Sequence, residues 1–370
     1  MKSLIFSIAF FSLTIATAQD FRLNHGNGRY TLGIEKARTA SVAAGDVDGD
    51  GDLDLVIANG RHWPDQNLIF FNNGDGRFTV SMPLDMISET SYAAELADLD
   101  NDGDLDIAVG NDRAPNTLYL NDGQGNFTRS GTVGRLYSPT RNLNLADLDG
   151  DGDQDILITN RGQENEICLN NGKAVFEQCI GFGASDDSTI DVEVADMDSD
   201  GDLDLVLANR DGQPNFVYLN NGQLGFDQRI PFGTGTDETR SVAVADLNND
   251  GYNDIITANI GQPNAIYFGS NDGYAVSGEY DTESNESYSL TTADIDQDGQ
   301  TDIIVANSRG INALFLNRNQ GKEWERMELS RFKFDTYDII AADLNSNGRP
   351  DIIEANSDQR NMFYYNLKKR

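Results

Sequence analysis

The chain has 370 residues, with 61 Asp and Glu against 27 Lys and Arg, a net charge of −34, and only two His and two Cys. A chain this acidic repels nucleic acid and anionic membrane surfaces, so neither is expected as a partner. No zinc-ligand cluster, Ser-His-Asp arrangement or phosphate-binding glycine loop is found.

Residues 1–18 open with Lys2, continue with an apolar run and end in Ala16-Thr17-Ala18. That pattern predicts a secretory signal cut after Ala18, too short to span a bilayer, and hence a secreted or periplasmic protein made of residues 19–370. The mature chain is expected to be a monomer with no membrane insertion.

From residue 46 onward one nine-residue loop recurs every 48–52 residues, seven times in all. Its first residues are Asp46, Asp98, Asp147, Asp196, Asp246, Asp294 and Asp343. The third position holds Asp48, Asp100, Asp149, Asp198, Asn248, Asp296 and Asn345, and the fifth holds Asp50, Asp102, Asp151, Asp200, Asp250, Asp298 and Asn347. The sixth is always glycine, as in Gly103, and the ninth always aspartate: Asp54, Asp106, Asp155, Asp204, Asp254, Asp302 and Asp351. Oxygen donors at alternating positions around a glycine bend describe a loop that wraps a hard cation, and calcium suits it, with up to seven ions per chain. The seventh position varies through Asp52, Asp104, Asp153, Asp202, Tyr252, Gln300 and Arg349, as expected where only a backbone carbonyl is a ligand.

An EF-hand would need Glu at position 12 and a following helix. Here position 12 is Ile57, Val109, Ile158, Leu207, Thr257 and Val305, with Glu354 only in the last copy. The competing reading of the acids as solvated turns weighs more in the last three loops, where Asn248, Asn345 and Asn347 replace carboxylates.

Around each loop the residues alternate as strands do. In the second copy, residues 91–97 enter the loop, 105–110 leave it, 116–121 form a third strand, 122–126 a tight turn and 127–130 a fourth. Four-stranded units repeated about an axis make a β-propeller, so the expected fold is all-β with seven blades. Residues 23–31 match 71–79, the exit of a third strand followed by a turn and a fourth strand, and the chain ends on a third strand at 361–366. An N-terminal strand is therefore expected to complete the last blade and close the ring. Cys168 and Cys179 fall on two arms of one hairpin, where a cross-strand disulfide and two buried thiols are both compatible with the sequence.

The repeat resembles the FG-GAP/VCBS type found in bacterial secreted proteins and in the head of integrin α subunits. The resemblance spans residues 19–370 and implies a seven-bladed propeller with calcium in loops on one face. It lacks a consistent Phe-Gly pair before each unit; Phe182-Gly and Phe232-Gly are scattered instances.

If first strands run toward the calcium loops, the second-to-third connections gather on the opposite face. Six of these seven connections carry an arginine: Arg61, Arg113, Arg161, Arg210, Arg309 and Arg360, with His62 and Trp63 beside the first. At the entry of the first strands, on the same face, stand Tyr92, Arg141, Arg240, Tyr288 and Tyr337, alongside Ala40 and Ile190. Guanidinium forks suit carboxylates and sulfates, and flat rings suit sugars, so the expected function is a binding module for an anionic polysaccharide or an extracellular protein. Two other readings use the same face. One is a polysaccharide lyase, with Arg141 or Arg240 neutralising a uronate and Tyr92, Tyr288 or Tyr337 with His62 moving the proton. The other is an integrin-like adhesion module. A purely structural role, with the loop arginines bonded to carbonyls or to Asp112, Glu164, Asp211 and Asp358, competes with all three.

Overall fold

The computed structural model describes residues 21–368, apart from 27 and 275, so the signal segment expected at 1–18 lies outside the described residues. Every regular element among the described residues is a β-strand. Repeats are numbered here by their loops. Repeat two is typical: Ser91–Ala97, Asp106–Asn111, Asn116–Asn121 and Phe127–Val133 pair antiparallel in that order. Repeats three, four and five form the same separate four-stranded sheet. The second strand is the core of each unit, and in repeats one to five it is buried along its whole length, as in Asp106–Asn111 and Asp204–Asn209. Its Val, Leu and Ile side chains pack against both neighbouring repeats, and Ile107 and Val109, for example, share a cluster with Val56 and Ile69. This is the β-propeller architecture that the alternating pattern predicts.

Repeats one, six and seven are joined by extra backbone pairs into one eleven-stranded sheet. Its longest element, Asp351–Lys368, pairs on one arm with Phe334–Ala342 and on the other with the N-terminal segment. There the register differs from the sequence expectation. Residues 23–24 are not the exit of a third strand: Phe21–Asn24 pairs directly with Tyr365–Lys368, and Thr31 and Leu32 pair with Met362 and Asn361. The physical reason is length. The C-terminal arm runs on to Lys368 and leaves an open edge, which Phe21–Asn24 covers.

Side-chain amides tie each repeat to its neighbour. Asn121 Nδ2 donates to the Val47 carbonyl, Asn170 to Leu99, Asn317 to Leu247 and Asn366 to Ile295, at 2.7–2.9 Å. Asn72 makes the same bond from repeat one to Leu344 of repeat seven at 2.8 Å, and Asn361 of repeat seven reaches Thr39 at 3.0 Å. First strands pack side by side in order, and Phe334–Ala342 also packs against Thr31–Gly45.

In every repeat the register between the first and second strands slips by one residue just after the first strand begins. The skipped residues are Ala40, Tyr92, Arg141, Ile190, Arg240, Tyr288 and Tyr337. A bulge leaves one residue outside the ladder and re-aims its side chain. Strict alternation would place these side chains on the face opposite their neighbours at 41, 93 and so on. The slip lets the pairs Ala40 and Ser41, Arg141 and Asn142, Arg240 and Ser241, Tyr288 and Ser289, and Tyr337 and Asp338 line one cavity.

Cys168 and Cys179 stand directly opposite in the outer hairpin of repeat three and form a disulfide.

Candidate functional site

Each acidic loop is built by its own first and ninth residues. In loop two, Asp98 accepts from the backbone N–H of Asp102 at 3.2 Å and of Gly103 at 3.0 Å. Gly103 sits at φ 96°, a conformation that L side chains resist. The ninth residue, Asp106, is buried and accepts from Leu99 N at 3.0 Å and Asn121 N at 2.9 Å, pinning the loop to the third strand. The equivalent pair of bonds recurs in all seven repeats, at Asp54, Asp155, Asp204, Asp254, Asp302 and Asp351. Burial raises these carboxyls against the backbone donors, to about 6 in Asp106 and about 7 in Asp302 and Asp351.

Five loops bring three carboxylates close enough to share one ion: Asp46, Asp48 and Asp50; Asp98, Asp100 and Asp106; Asp147, Asp149 and Asp155; Asp196, Asp198 and Asp204; and Asp294, Asp296 and Asp302. In loops one and two the fit to a cation is direct. Asp48 Oδ1 and Asp100 Oδ1 are buried and have no hydrogen-bond partner, which costs free energy unless a cation meets them. Burial first, and the neighbouring acid second, raises Asp48, Asp100, Asp149 and Asp198, the signature of carboxylates crowded for a positive charge.

Among the described residues loops five and seven gather no such trio of carboxylates. Amides are the cause. Asn248 Nδ2 bonds Asp250 at 2.9 Å, Asn345 Nδ2 bonds Asp351 at 2.8 Å, and Asn347 Nδ2 turns to the Asn366 carbonyl at 3.2 Å. The seventh-position side chains Asp52, Asp104, Asp153, Asp202, Tyr252, Gln300 and Arg349 lie outside the gathered trios.

A cavity of about 410 Å³ runs along the axis between the first strands. At the end opposite the acidic loops the bulge residues Ala40, Tyr92, Arg141, Arg240, Tyr288 and Tyr337 line it, then Asn142, Asp191, Ser289 and Asp338, then Glu95 and Glu193, and at the loop end Ala44, Leu53 and Ala342. Arg141 packs on Tyr92, 4.5 Å from the ring centroid, and pairs with Asp112 at 2.8 Å. Arg61 lies 3.6 Å over the Tyr337 ring and donates to its hydroxyl. Tyr92 Oη and His62 Nδ1 are 2.8 Å apart. Burial, then Arg61 and Arg141, pull the His62 pKa down, so the imidazole is neutral near pH 7. Arg240 lies 5.6 Å from the Tyr288 ring, and among the described residues no carboxylate forms an ion pair with it.

Below this layer Asp191 accepts from Asn142 Nδ2 at 2.5 Å and from Val242 N at 3.0 Å, and Asp338 from Ser289 at 2.9 Å and from Val42 N at 3.0 Å. These two acids clasp neighbouring repeats. Glu95 has no such donor at its carboxylate among the described residues, and Glu193 has only the backbone N–H of Val194. Burial, then Asp338 for Glu95 and Asp191 for Glu193, pushes both up, Glu193 to about 8.

The arginines of the second-to-third connections do not form one ring around the cavity. Arg161 pairs with Asp211 at 2.7 Å, Arg210 with Glu238 at 3.4 Å, and Arg360 donates to the Ile34 carbonyl at 2.9 Å. Arg113 and Arg309 are exposed, and Arg61 alone among the six meets a bulge residue, Tyr337. Trp63 is exposed on the rim near Arg38, at 5.8 Å. It begins an arc of exposed apolar side chains that continues through Met86, Ile87, Leu136 and Tyr137. Backbone pairs join the successive connections of this arc, Asp65 to Glu89, Thr90 to Asp112 and Ser138 to Arg113.

Sequence reasoning passed over the paired asparagines that shape these connections. Asn111 N–H donates to Asn116 Oδ1 at 2.8 Å and Asn111 Nδ2 to the Pro115 carbonyl at 2.9 Å, and the pattern repeats from Asn59 with Asn67 to Asn356 with Asn361. Their spacing was the available signal.

Antiparallel four-stranded units with an acidic loop after each first strand define a repeat β-propeller with candidate metal sites. The chain belongs to the FG-GAP-like repeat family, whose model matches residues 46–109, 98–158, 147–207, 196–257, 246–305 and 294–354. Among solved structures it is similar to BBS1N in the crystal structure of its complex with ARL6DN soaked with mercury, at 14% identity and TM-score 0.63, covering 90% of this chain and 94% of that one. The lead-soaked crystal of the same complex gives 14% identity and TM-score 0.60, covering 92% and 97%. At this identity the likeness is one of fold. No curated protein matches the chain.

Proposed function

We propose that this chain is an exported, calcium-stabilised propeller of seven blades, closed by its N-terminal segment, that binds an anionic polysaccharide in the axial cavity opposite the metal loops. Closure is supported by the bonds from repeat one to repeat seven, Asn72 to Leu344 and Asn361 to Thr39. The acidic trios with orphaned oxygens support the metal, and hard oxygen donors in this number suit calcium. When bound, the ions would neutralise the crowded carboxylates and brace the loops.

The single observation that carries the ligand reading is Arg240. It faces a cavity of small-ligand size with an aromatic neighbour and no carboxylate paired to it. Arg141, Tyr92, Tyr288 and Tyr337 supply a second cation and flat rings around it. The test is retention on immobilised uronate-rich or sulfated polysaccharide, wild type against Arg141→Ala plus Arg240→Ala. Unchanged retention in a folded double variant sinks the reading, and capture of a surface protein instead of a glycan turns it into adhesion.

The contact between Tyr92 and His62, beside Arg141, favours a second reading as a lyase. An arginine would hold the uronate carboxylate while the pair takes the C5 proton. The C4–O4 bond then breaks, C4=C5 forms, and the proton passes to the departing oxygen. Ultraviolet absorbance of an unsaturated uronate appearing with wild type and not with Tyr92→Phe would establish it.

A further inference from the structure

Loop six satisfies the sequence pattern as well as loop two does. Asp294, Asp296 and Asp298 stand at the alternating positions, Gly299 at the bend and Asp302 at the end. Its three carboxylates also come together. Yet its centre differs chemically. Arg318 Nη1 lies 2.7 Å from Asp296 Oδ2 and 2.8 Å from Asp298 Oδ2, and Nη2 is held by Glu325 at 3.2 Å. The Gln300 amide adds a further donor to Asp298 Oδ2 at 3.2 Å. The third-position carboxylates of loops one and two keep a buried oxygen with no partner, whereas Asp296 is fully buried with its Oδ2 already bonded to a guanidinium.

The arginine comes from one position, the residue after the one whose N–H binds the ninth aspartate. In the other repeats that position holds Asn73, Asp122, Asn171, Asn221, Ser270 and Leu367. None of these is a cation, so the substitution is specific to repeat six. A guanidinium bridging two carboxylates offsets their mutual repulsion as an ion would, and it removes the oxygens that a divalent cation would need.

We propose that loop six is a metal loop closed by its own side-chain cation: Arg318 takes the place of calcium, so this repeat is braced without metal, and removing the guanidinium converts it into a metal site. This deepens the calcium reading of loops one to four and rests on it. The chain would then hold four ions, and repeat six would keep its loop when chelator strips the others.

The experiment counts calcium ions bound per full-length chain after equilibrium dialysis, with circular dichroism to verify the fold. Asp100→Asn should lose one ion relative to wild type, Asp296→Asn should lose none, and Arg318→Gln should gain one. Loss of an ion in Asp296→Asn overturns the proposal, because loop six would then be occupied in the wild type. An unchanged count in folded Arg318→Gln overturns it as well. Should Arg318→Gln not fold, Asp296→Asn decides alone. The calcium reading fails separately if wild type and Asp100→Asn bind the same number of ions, so the two ideas part cleanly.

Discussion

The two rims of the array use repetition in opposite ways. On the metal rim the first, sixth and ninth loop residues are Asp, Gly and Asp in all seven copies, because each loop has the same local problem of bending and anchoring. On the opposite rim one structural position, the bulge of the first strand, holds Ala40, Tyr92, Arg141, Ile190, Arg240, Tyr288 and Tyr337. Near-identical backbones deliver different chemistry to one axis, which breaks the rotational symmetry of the scaffold. A ligand without that symmetry needs such a surface, whereas spherical ions do not. On the proposed function, sameness in this chain marks architecture and difference marks recognition.

Stripping divalent ions should produce the largest effect. An ion at a hundredfold excess over its Kd adds about 2.7 kcal/mol, and four such sites should raise Tm by more than about 10 °C over chelated protein in calorimetry. Arg141→Ala plus Arg240→Ala should leave that difference intact while weakening glycan retention by at least about tenfold, since each charge-assisted bond is worth about 1.5–3 kcal/mol. The loss of the disulfide in Cys168→Ser should cost about 2–4 kcal/mol in denaturant unfolding and change neither ion count nor retention, because it lies in the outer hairpin of repeat three, away from both rims.

The smallest effect concerns pH. Glu193 holds its proton up to about pH 8 when folded, against 4.5 for an ordinary glutamate. Between these values the folded state binds more protons than the unfolded one, so its contribution to stability falls as pH rises through that window. Above pH 8 the ionised carboxylate repels an anionic ligand. Retention should therefore weaken a few-fold from pH 7 to 9, and Glu193→Gln should flatten the profile.

The metal rim was legible in the sequence because its chemistry is local: nine residues in register reveal a loop without knowledge of its neighbours. The strands were legible for the same reason, since alternation around Ser91–Ala97 and Asp106–Asn111 needs no partner to be seen. The bulge was not, because a register slip belongs to two strands at once and its residue changes in every copy. Tyr92 and Arg141 were chosen by position alone, without the slip that aims them at the axis. Arg318 escaped notice because it reaches the loop from the end of the third strand, 20 residues after Asp298. The exposure of Arg113 and Arg309 was hidden because residue type alone does not reveal which loop arginines find a partner.

The seam between repeats seven and one pairs strands far apart in the sequence, with Phe21 opposite Lys368 and Leu32 opposite Asn361. Repeat one therefore meets these partners only after the residues of repeat seven have been made, and deletion of Phe21–Asn24 would be felt at Tyr365–Lys368.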